Sequence, residues 1–185
     1  MTGSRRLRRV CAMSALLLAA RADMSSAQAA NPCAGQAACT DLPAFVVVVT
    51  NFRPGAAGTS RVVSLTIRFT NKTPRALVMG YVDASGMATD DRGNRYLVGP
   101  GAVGSIGVIS SASFDPKFTL QPGESGEGRI EFAWAPSSAS EVGGTVWDVG
   151  FTIREIDPVA EKQYKLGKEH VLQFRGLRPT AVSPD

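Results

Sequence analysis

Apolar and polar side chains alternate with a period of two along most of the chain from residue 45 onward. The clearest run places Val63, Leu65, Ile67 and Phe69 between polar or charged neighbours. A period of two puts one face of a β-strand in a dry interior and the other in water. Three further runs repeat the pattern: Ile130-Phe132-Trp134, Trp147-Val149-Phe151-Ile153 and His170-Leu172-Phe174. These runs predict half-buried strands whose apolar residues, including both tryptophans, fill a core.

Turn-forming residues separate these runs from less regular strand candidates at 45–50, 76–83, 96–98, 103–109 and 117–120. The segments 71–74, 91–94 and 121–124 combine Asn, Asp, Gly and Pro, the residues that tight turns require. No window carries a helical stripe, and no strand–helix–strand alternation occurs. Eight or nine short strands without helices predict an all-β fold, a two-sheet antiparallel β-sandwich over residues 43–176.

Three segments do not fit the strand pattern. Residues 99–113 are rich in Gly and Ser and predict a partly irregular connection. Residues 158–168 are charged, which favours a solvated crossover loop with at most a helical turn. Residues 177–185 contain two prolines and little to bury, so we expect a disordered tail.

Residues 1–30 have the order of a cleavable signal peptide rather than of a folded segment. Four arginines between positions 5 and 9 precede an apolar stretch at 10–20, and Ala27-Gln28-Ala29 is a small-x-small cleavage signal. The apolar stretch is too short to span a bilayer core of about 30 Å. We therefore expect export to the periplasm or beyond, with no integral membrane segment after cleavage. The alternative is an N-terminal amphipathic helix of the domain.

Removal of this leader changes the charge of the chain. The 185 residues include 20 basic and 16 acidic side chains, and the leader holds five of the basic ones and one acidic one. The remaining 155 residues therefore carry 15 of each sign. A neutral domain has no electrostatic means of recruiting nucleic acid or anionic lipid.

The cysteines agree with export to an oxidising compartment. Cleavage removes Cys11 and leaves Cys33 and Cys39 in a short N-terminal segment, residues 31–42. An even pair in an exported chain predicts a disulfide. Because the closed loop is short, the bridge should contribute only about 2 kcal/mol. A redox-active or metal-binding pair is the alternative, but closer spacing or nearby histidines would be needed.

The order of these strand and turn motifs resembles a known group. The relevant motifs are Leu65-x-Ile67-x-Phe69-x-Asn71-x-Thr73, Asp91-x-Gly93-Asn94-x-Tyr96, and Phe118-x-Leu120-x-Pro122-Gly123-Glu124-Ser125 followed by Ile130-x-Phe132. They are similar to uncharacterised exported bacterial domains with a telokin-like, immunoglobulin-like fold of the immunoprotective extracellular type. The resemblance spans roughly residues 45–175. It implies an immunoglobulin-like sandwich and a secreted or periplasmic location, and it brings no catalytic residues.

Two motifs could suggest a cofactor or a metal. The glycine pattern at 99–104 matches dinucleotide-binding loops, but β-branched and serine residues follow it where a helix would be required. Asp83, Asp90, Asp91 and Asn94 could supply oxygen ligands to calcium, but the spacing lacks the bidentate Glu of an EF-hand. A hairpin turn explains the same residues, so we predict no cofactor and no metal site.

Catalytic residues are equally hard to assemble. His170 is the single histidine, and its neighbours suggest a strand start with the ring at the sandwich rim. No serine occupies a nucleophile elbow. We expect the carboxylates near strands to pair with Arg129 and Arg154 across the wet face. These carboxylates are Glu131, Asp148, Glu155 and Asp157.

The expected function is therefore non-enzymatic. We predict an exported immunoglobulin-like module that binds an unknown protein or supports another envelope component. Two alternatives remain open. A carbohydrate-binding module would require a surface-exposed aromatic pair, and a small carboxylate-dependent hydrolase would require two carboxylates within about 6 Å in a cleft.

Overall fold

The computed structural model describes residues 32–34, 36, 38–58, 60–135, 143–160 and 163–180. The predicted signal peptide, residues 1–30, lies outside the described residues. The described ranges contain eleven strands: β1 (Cys39–Asp41), β2 (Phe45–Ala57), β3 (Ser60–Asn71), β4 (Leu77–Val82), β5 (Met87–Asp90), β6 (Arg95–Gly104), β7 (Gly107–Ile109), β8 (Thr119–Leu120), β9 (Ser125–Trp134), β10 (Trp147–Ala160) and β11 (Gln163–Leu177). No helix in these ranges is long and apolar enough to cross a membrane. The described part of the chain is all-β, as predicted.

The strands join in one hydrogen-bonded ladder with the order β1-β2-β3-β9-β6-β5-β10-β4-β7. Strand β10 is long enough to have two partners on one edge: its first residues pair with β5, and Ile153–Glu155 pair with β4. Its other edge pairs along its length with β11. This branching at β10 allows the ladder to fold over itself.

Two layers of the ladder face one another through a shared apolar core. Phe52 of β2 meets Trp147 of β10 with the ring centroids 5.4 Å apart, and Phe45 of β2 meets His170 of β11 at 4.9 Å. All four residues of the alternating run in β3 are buried, as are the four in β10. These predictions are confirmed. The packing of β2, β3 and β9 against β10, β11 and β4 is that of a β-sandwich.

The predicted turn chemistry is present at all three sites. Gly93 and Gly123 have φ of 79° and 76°, a left-handed conformation that glycine adopts without a steric penalty. At the third turn, the Asn71 Oδ1 atom accepts a hydrogen bond of 2.8 Å from the backbone N–H of Thr73. The side chain thus replaces a backbone acceptor, as in an Asx turn.

The expectation of two purely antiparallel sheets needs correction. Strands β4 and β7 are parallel, with Gly80 beside Gly107, so the sheet is mixed. Nearly all strands also belong to the single ladder, with only the short β4–β8 pairing outside it. Alternation within a strand reports which face is buried and carries no information on the direction of the neighbouring strand.

Two segments that did not fit the strand pattern contain more strand than expected. Most of residues 99–113 belongs to β6 and β7, with a register shift between Val98 and Val103 and with residues 105–106 and 110–113 outside the strands, so this connection is partly irregular, as predicted. Residues 158–168 extend the β10–β11 hairpin: Pro158 pairs with Tyr164 and Asp157 with Lys165. Proline and charged residues are tolerated in this end of the hairpin because it lies at the edge of the sheet.

The chain also remains ordered beyond the predicted end of the domain. Leu177 ends β11 and is buried in the core. Thr180 then pairs with Phe52 through its backbone N–H and its hydroxyl, at 2.9 Å each. The first part of the segment expected to be a disordered tail is therefore tied to β2. Residues 181–185 lie outside the described residues.

The predicted disulfide between Cys33 and Cys39 is confirmed, with the two Cα atoms 5.4 Å apart. Cys39 begins β1, which pairs with β2 in an antiparallel register. The bridge therefore fastens the N-terminal segment to the edge of the sheet and lies outside the core.

Candidate functional site

The outer face of the β5-β10-β11 sheet carries a groove of about 350 Å³. Its walls are outward-facing side chains of the three strands together with the β4–β5 turn: Ser85, Met87, Thr89, Asp148, Thr152, Val171, Gln173 and Arg175. Two of these are notably exposed apolar side chains, Met87 at 40% and Val171 at 68%. The groove therefore offers an apolar centre beside polar and charged groups.

The groove is open because the outward-facing residue in the middle of this part of β10, Gly150, is a glycine. Gly150 lies opposite Gln173 of β11 and Met87 of β5, in the row of outward-facing positions. A Cβ atom at Gly150 would have only ordinary contacts, 3.7 Å to the Leu172 carbonyl oxygen and 3.9 Å to the Gln173 Cγ. A Cβ atom at this position would therefore not clash with its neighbours, and the glycine simply leaves the space above β10 open.

Strand β11 presents a free edge beside this groove. In the described part of the chain, β11 pairs with β10 alone, along fifteen residues. The strands at the two ends of the ladder, β1 and β7, have three residues each, and β8, which pairs with β4, has two. A long edge strand exposes a row of backbone donors and acceptors that another strand can use.

One hydrogen bond shows which backbone groups point to that free edge. The backbone N–H of Thr152 donates to the Ser85 Oγ atom at 3.0 Å, and therefore points away from β11. Its partner Val171 is then in a non-hydrogen-bonded pair, with its own N–H and C=O directed away from β10. Because backbone direction alternates along a strand, Glu169 and Gln173 share this orientation.

His170 occupies a different position from the one predicted. It lies within β11 rather than at its start, is 6% exposed, and packs edge-on against Phe45. Its Nε2 atom is 2.9 Å from the Glu155 Oε1 atom. Among the described residues this is the side chain's one hydrogen bond, so the ring serves a buried polar pair.

The carboxylates of β10 pair differently from the prediction. Glu131 contacts Arg129 at 3.3 Å as expected, but Glu155 and Asp157 both contact Arg75, at 3.4 Å each. Arg154 instead pairs with Glu169 at 3.1 Å. Asp148 forms no ion pair in the described ranges and accepts a hydrogen bond from the Gly176 N–H at 2.9 Å. One guanidinium thus bridges the two carboxylates that lie nearest to each other on β10.

The Asp90 carboxylate is surrounded by hydrogen-bond donors. Both Asp90 oxygens accept hydrogen bonds, from the backbone of Arg92, Asn94 and Gly144 and from the side chains of Asn94 and Tyr96, at 2.7–3.1 Å. Burial raises the pKa of Asp90, but the hydrogen bonds from Asn94, Gly144 and Arg92 outweigh it and hold the pKa below its ordinary value. The carboxylate is a structural acceptor.

The other residues considered for calcium do not complete a site. Asp91 is engaged by the N–H and hydroxyl of Thr145, and Asp83 lies in the β4–β5 turn, where it accepts from the Ala84 N–H. No cluster of three or more His, Cys, Asp or Glu side chains able to hold a metal occurs in the described ranges. The residues considered for calcium therefore serve their own turns.

The aromatic residues divide between core and surface in an unexpected way. Trp147 is buried, whereas Trp134 is only partly buried and carries the Arg61 guanidinium 4.1 Å from its ring centroid. An exposed pair lies elsewhere: Phe114 and Tyr164, 36% and 37% exposed, have centroids 6.2 Å apart and planes at 78°. Residue 164 fell in a segment expected to be a loop, so no strand pattern indicated this contact.

No protein-family model matches the chain, and no curated protein is significantly similar to it. Among solved structures, the chain is similar to an uncharacterised β-sandwich protein from Clostridium difficile 630. The two share 8% sequence identity with a TM-score of 0.36, over 76% of this chain and 91% of that one. No function follows from similarity at this level.

Proposed function

We propose that the chain is an exported, non-enzymatic, immunoglobulin-like module that binds a protein of the envelope or extracellular space. The observation that carries this proposal is the free edge of β11, with the outward backbone groups of Glu169, Val171 and Gln173. Addition of a strand to such an edge is a recurring mode of protein recognition, in which backbone hydrogen bonds give affinity and neighbouring pockets give specificity. The adjacent groove supplies such a pocket.

The polar clusters favour binding over catalysis. The Glu155 and Asp157 carboxylates share the Arg75 guanidinium, so both are engaged in ion pairs, which favours a structural role for this carboxylate pair. His170 is turned inward to Glu155. These contacts supply each group with a partner inside the protein, which supports a structural role for both.

The immunoglobulin-like assignment and the export belong to the same proposal. Two layers packed face to face, with antiparallel neighbours in most pairings, support the first. The leader pattern and the Cys33–Cys39 bridge support the second, because disulfides persist in oxidising compartments. Mass spectrometry of the exported protein should find an N-terminus at Ala30 or Asn31. A folded exported protein that retains Met1 would contradict this.

A proline at the β11 edge provides the test of binding. Gln173→Pro removes an outward N–H without breaking a bond to β10, and proline is tolerated on edge strands for that reason. Gln173→Val keeps the N–H and serves as the matched control. We expect immobilised wild-type protein and the valine variant to capture the same envelope proteins, and the proline variant to lose them. Equal capture by all three would place binding elsewhere.

The exposed pair of Phe114 and Tyr164 favours a second candidate, a carbohydrate-binding module. The two rings form a corner in which a sugar ring can stack on one aromatic face. Affinity electrophoresis in gels containing soluble β-glucan or peptidoglycan fragments tests this function. Retardation of the wild type that disappears in Tyr164→Ala would favour the sugar, whereas equal mobility in every gel would exclude both polysaccharides.

A further inference from the structure

We infer that the protein occupying the β11 edge is a second copy of this chain, paired antiparallel about a two-fold axis at Leu172. This inference rests on the proposed function, because it names the partner of the same edge. The resulting dimer would join two β11 strands into one continuous sheet.

The backbone directions allow this register. Rotation about Leu172 places Val171 opposite Gln173 of the other copy, and both residues direct their N–H and C=O to the free edge. Each such pair exchanges two hydrogen bonds in an antiparallel ladder. The register shifts of the hairpin lie on either side of the stretch from Glu169 to Phe174, so this part of the edge is regular.

The charges along the outer face are self-complementary in the same register. Glu169 and Arg175 are exposed and stand three positions before and after Leu172, Arg175 being the first residue beyond the regular stretch. Antiparallel pairing about Leu172 therefore sets Glu169 of each copy opposite Arg175 of the other. Arg175 has no ion pair among the described residues, whereas Glu169 already contacts Arg154 at 3.1 Å. Opposite charges in directly opposed positions stabilise a strand pair.

The exposed lysines limit the pairing to this stretch. Lys165 and Lys168 precede Glu169 on β11 and are exposed; Lys168 lies in the register shift between Arg154 and Ile156, and Lys165 lies beyond it. Lysines and bulges on an edge strand discourage further pairing. The two-fold contact also opposes open-ended fibre growth, because it uses the β11 edge of both copies and leaves neither edge free for a third copy.

Charge reversal tests the register. Sedimentation velocity of the exported protein over a range of concentrations should show a monomer–dimer equilibrium. Arg175→Glu and Glu169→Arg should each weaken it roughly tenfold, because each change places like charges at both symmetric contacts. The double variant should return to within about threefold of the wild type, because the pairs are restored in reverse. Circular dichroism verifies that each variant remains folded.

Several outcomes would overturn the inference. A wild type that stays monomeric, or a dimer that is unchanged by either single reversal, excludes this register. A dimer that persists in Gln173→Pro excludes the edge itself. If the wild type is monomeric but captures an envelope protein that Gln173→Pro loses, self-pairing is wrong and the proposed function stands. If the wild type neither dimerises nor captures any protein, both the self-pairing and the proposed function are wrong.

Discussion

The two faces of the β10–β11 hairpin differ in almost every physical respect. The inner face includes Val149, Phe151, Ile153, Leu172 and Phe174, all of which are less than 5% exposed. The outer face alternates with it, residue by residue, and combines a glycine, hydroxyls, an amide and charges around an open groove. The same two strands therefore supply a closed core on one side and an accessible surface on the other.

This difference separates what stabilises the molecule from what is available for binding. Burial of the inner face contributes free energy in proportion to the apolar area removed from water. The outer face contributes little to folding, so its residues can change with small effect on stability. Substitutions on the two faces should therefore have unequal effects, and the following predictions test that inequality in order of size.

The largest effect is expected from Phe151→Ala on the inner face. Phe151 is 1% exposed and stacks on Phe174, so its removal leaves a cavity. We expect a loss of about 3–5 kcal/mol in the free energy of unfolding, measured by denaturant melts. The neighbouring Thr152→Ala on the outer face should cost less than about 1 kcal/mol. Equal costs would mean that both faces of β10 are buried.

Asp90→Asn tests the polar interior and should cost about 3 kcal/mol, because buried N–H donors lose a charged acceptor. The pKa of Asp90 is lowered in the folded protein from an ordinary value of 3.8. Its contribution is therefore complete above pH 3.8 and is lost as the pH falls toward the lowered folded value. The variant should lack this part of the acid dependence. Identical pH profiles between pH 2 and 5 would contradict the assignment.

The disulfide lies outside the comparison of the two faces and should have an intermediate effect. The Cys33→Ser and Cys39→Ser double variant opens a short loop at the sheet edge, so we expect a loss of about 2 kcal/mol or less. Melts of the oxidised wild type and the variant measure the difference. A variant that does not fold would show that the bridge organises the core as well as the N-terminus.

The smallest effect is expected from Gly150→Val at the floor of the groove. Space for the side chain exists, and valine suits a strand better than glycine, so stability should change by less than about 1 kcal/mol. The variant fills the groove without altering the edge of β11. A large loss of stability would mean that the outer face is packed after all. Unchanged capture of a partner would show that the edge acts without the groove.

Much of the fold follows from local patterns in the sequence. The alternation in β3 and β10 identified their buried faces correctly, because burial of one face requires a period of two whatever strand lies beside it. The turns at Gly93 and Gly123 followed from the backbone conformations that glycine allows. The Cys33–Cys39 bridge followed from the pair of cysteines that remains once the predicted leader and its Cys11 are removed.

Other features depended on which strands became neighbours. The contacts of Arg75 with Glu155 and Asp157, and of Phe114 with Tyr164, join residues fifty or more positions apart. The free edge of β11 depends equally on the order of strands in the ladder. Alternation determines which side of a strand is dry, but pairing order arises from the packing of the whole sandwich. Local patterns in the sequence are therefore enough to identify the core faces and the turns, whereas the contacts between polar groups and the open edge of β11 depend on how the strands are arranged in three dimensions.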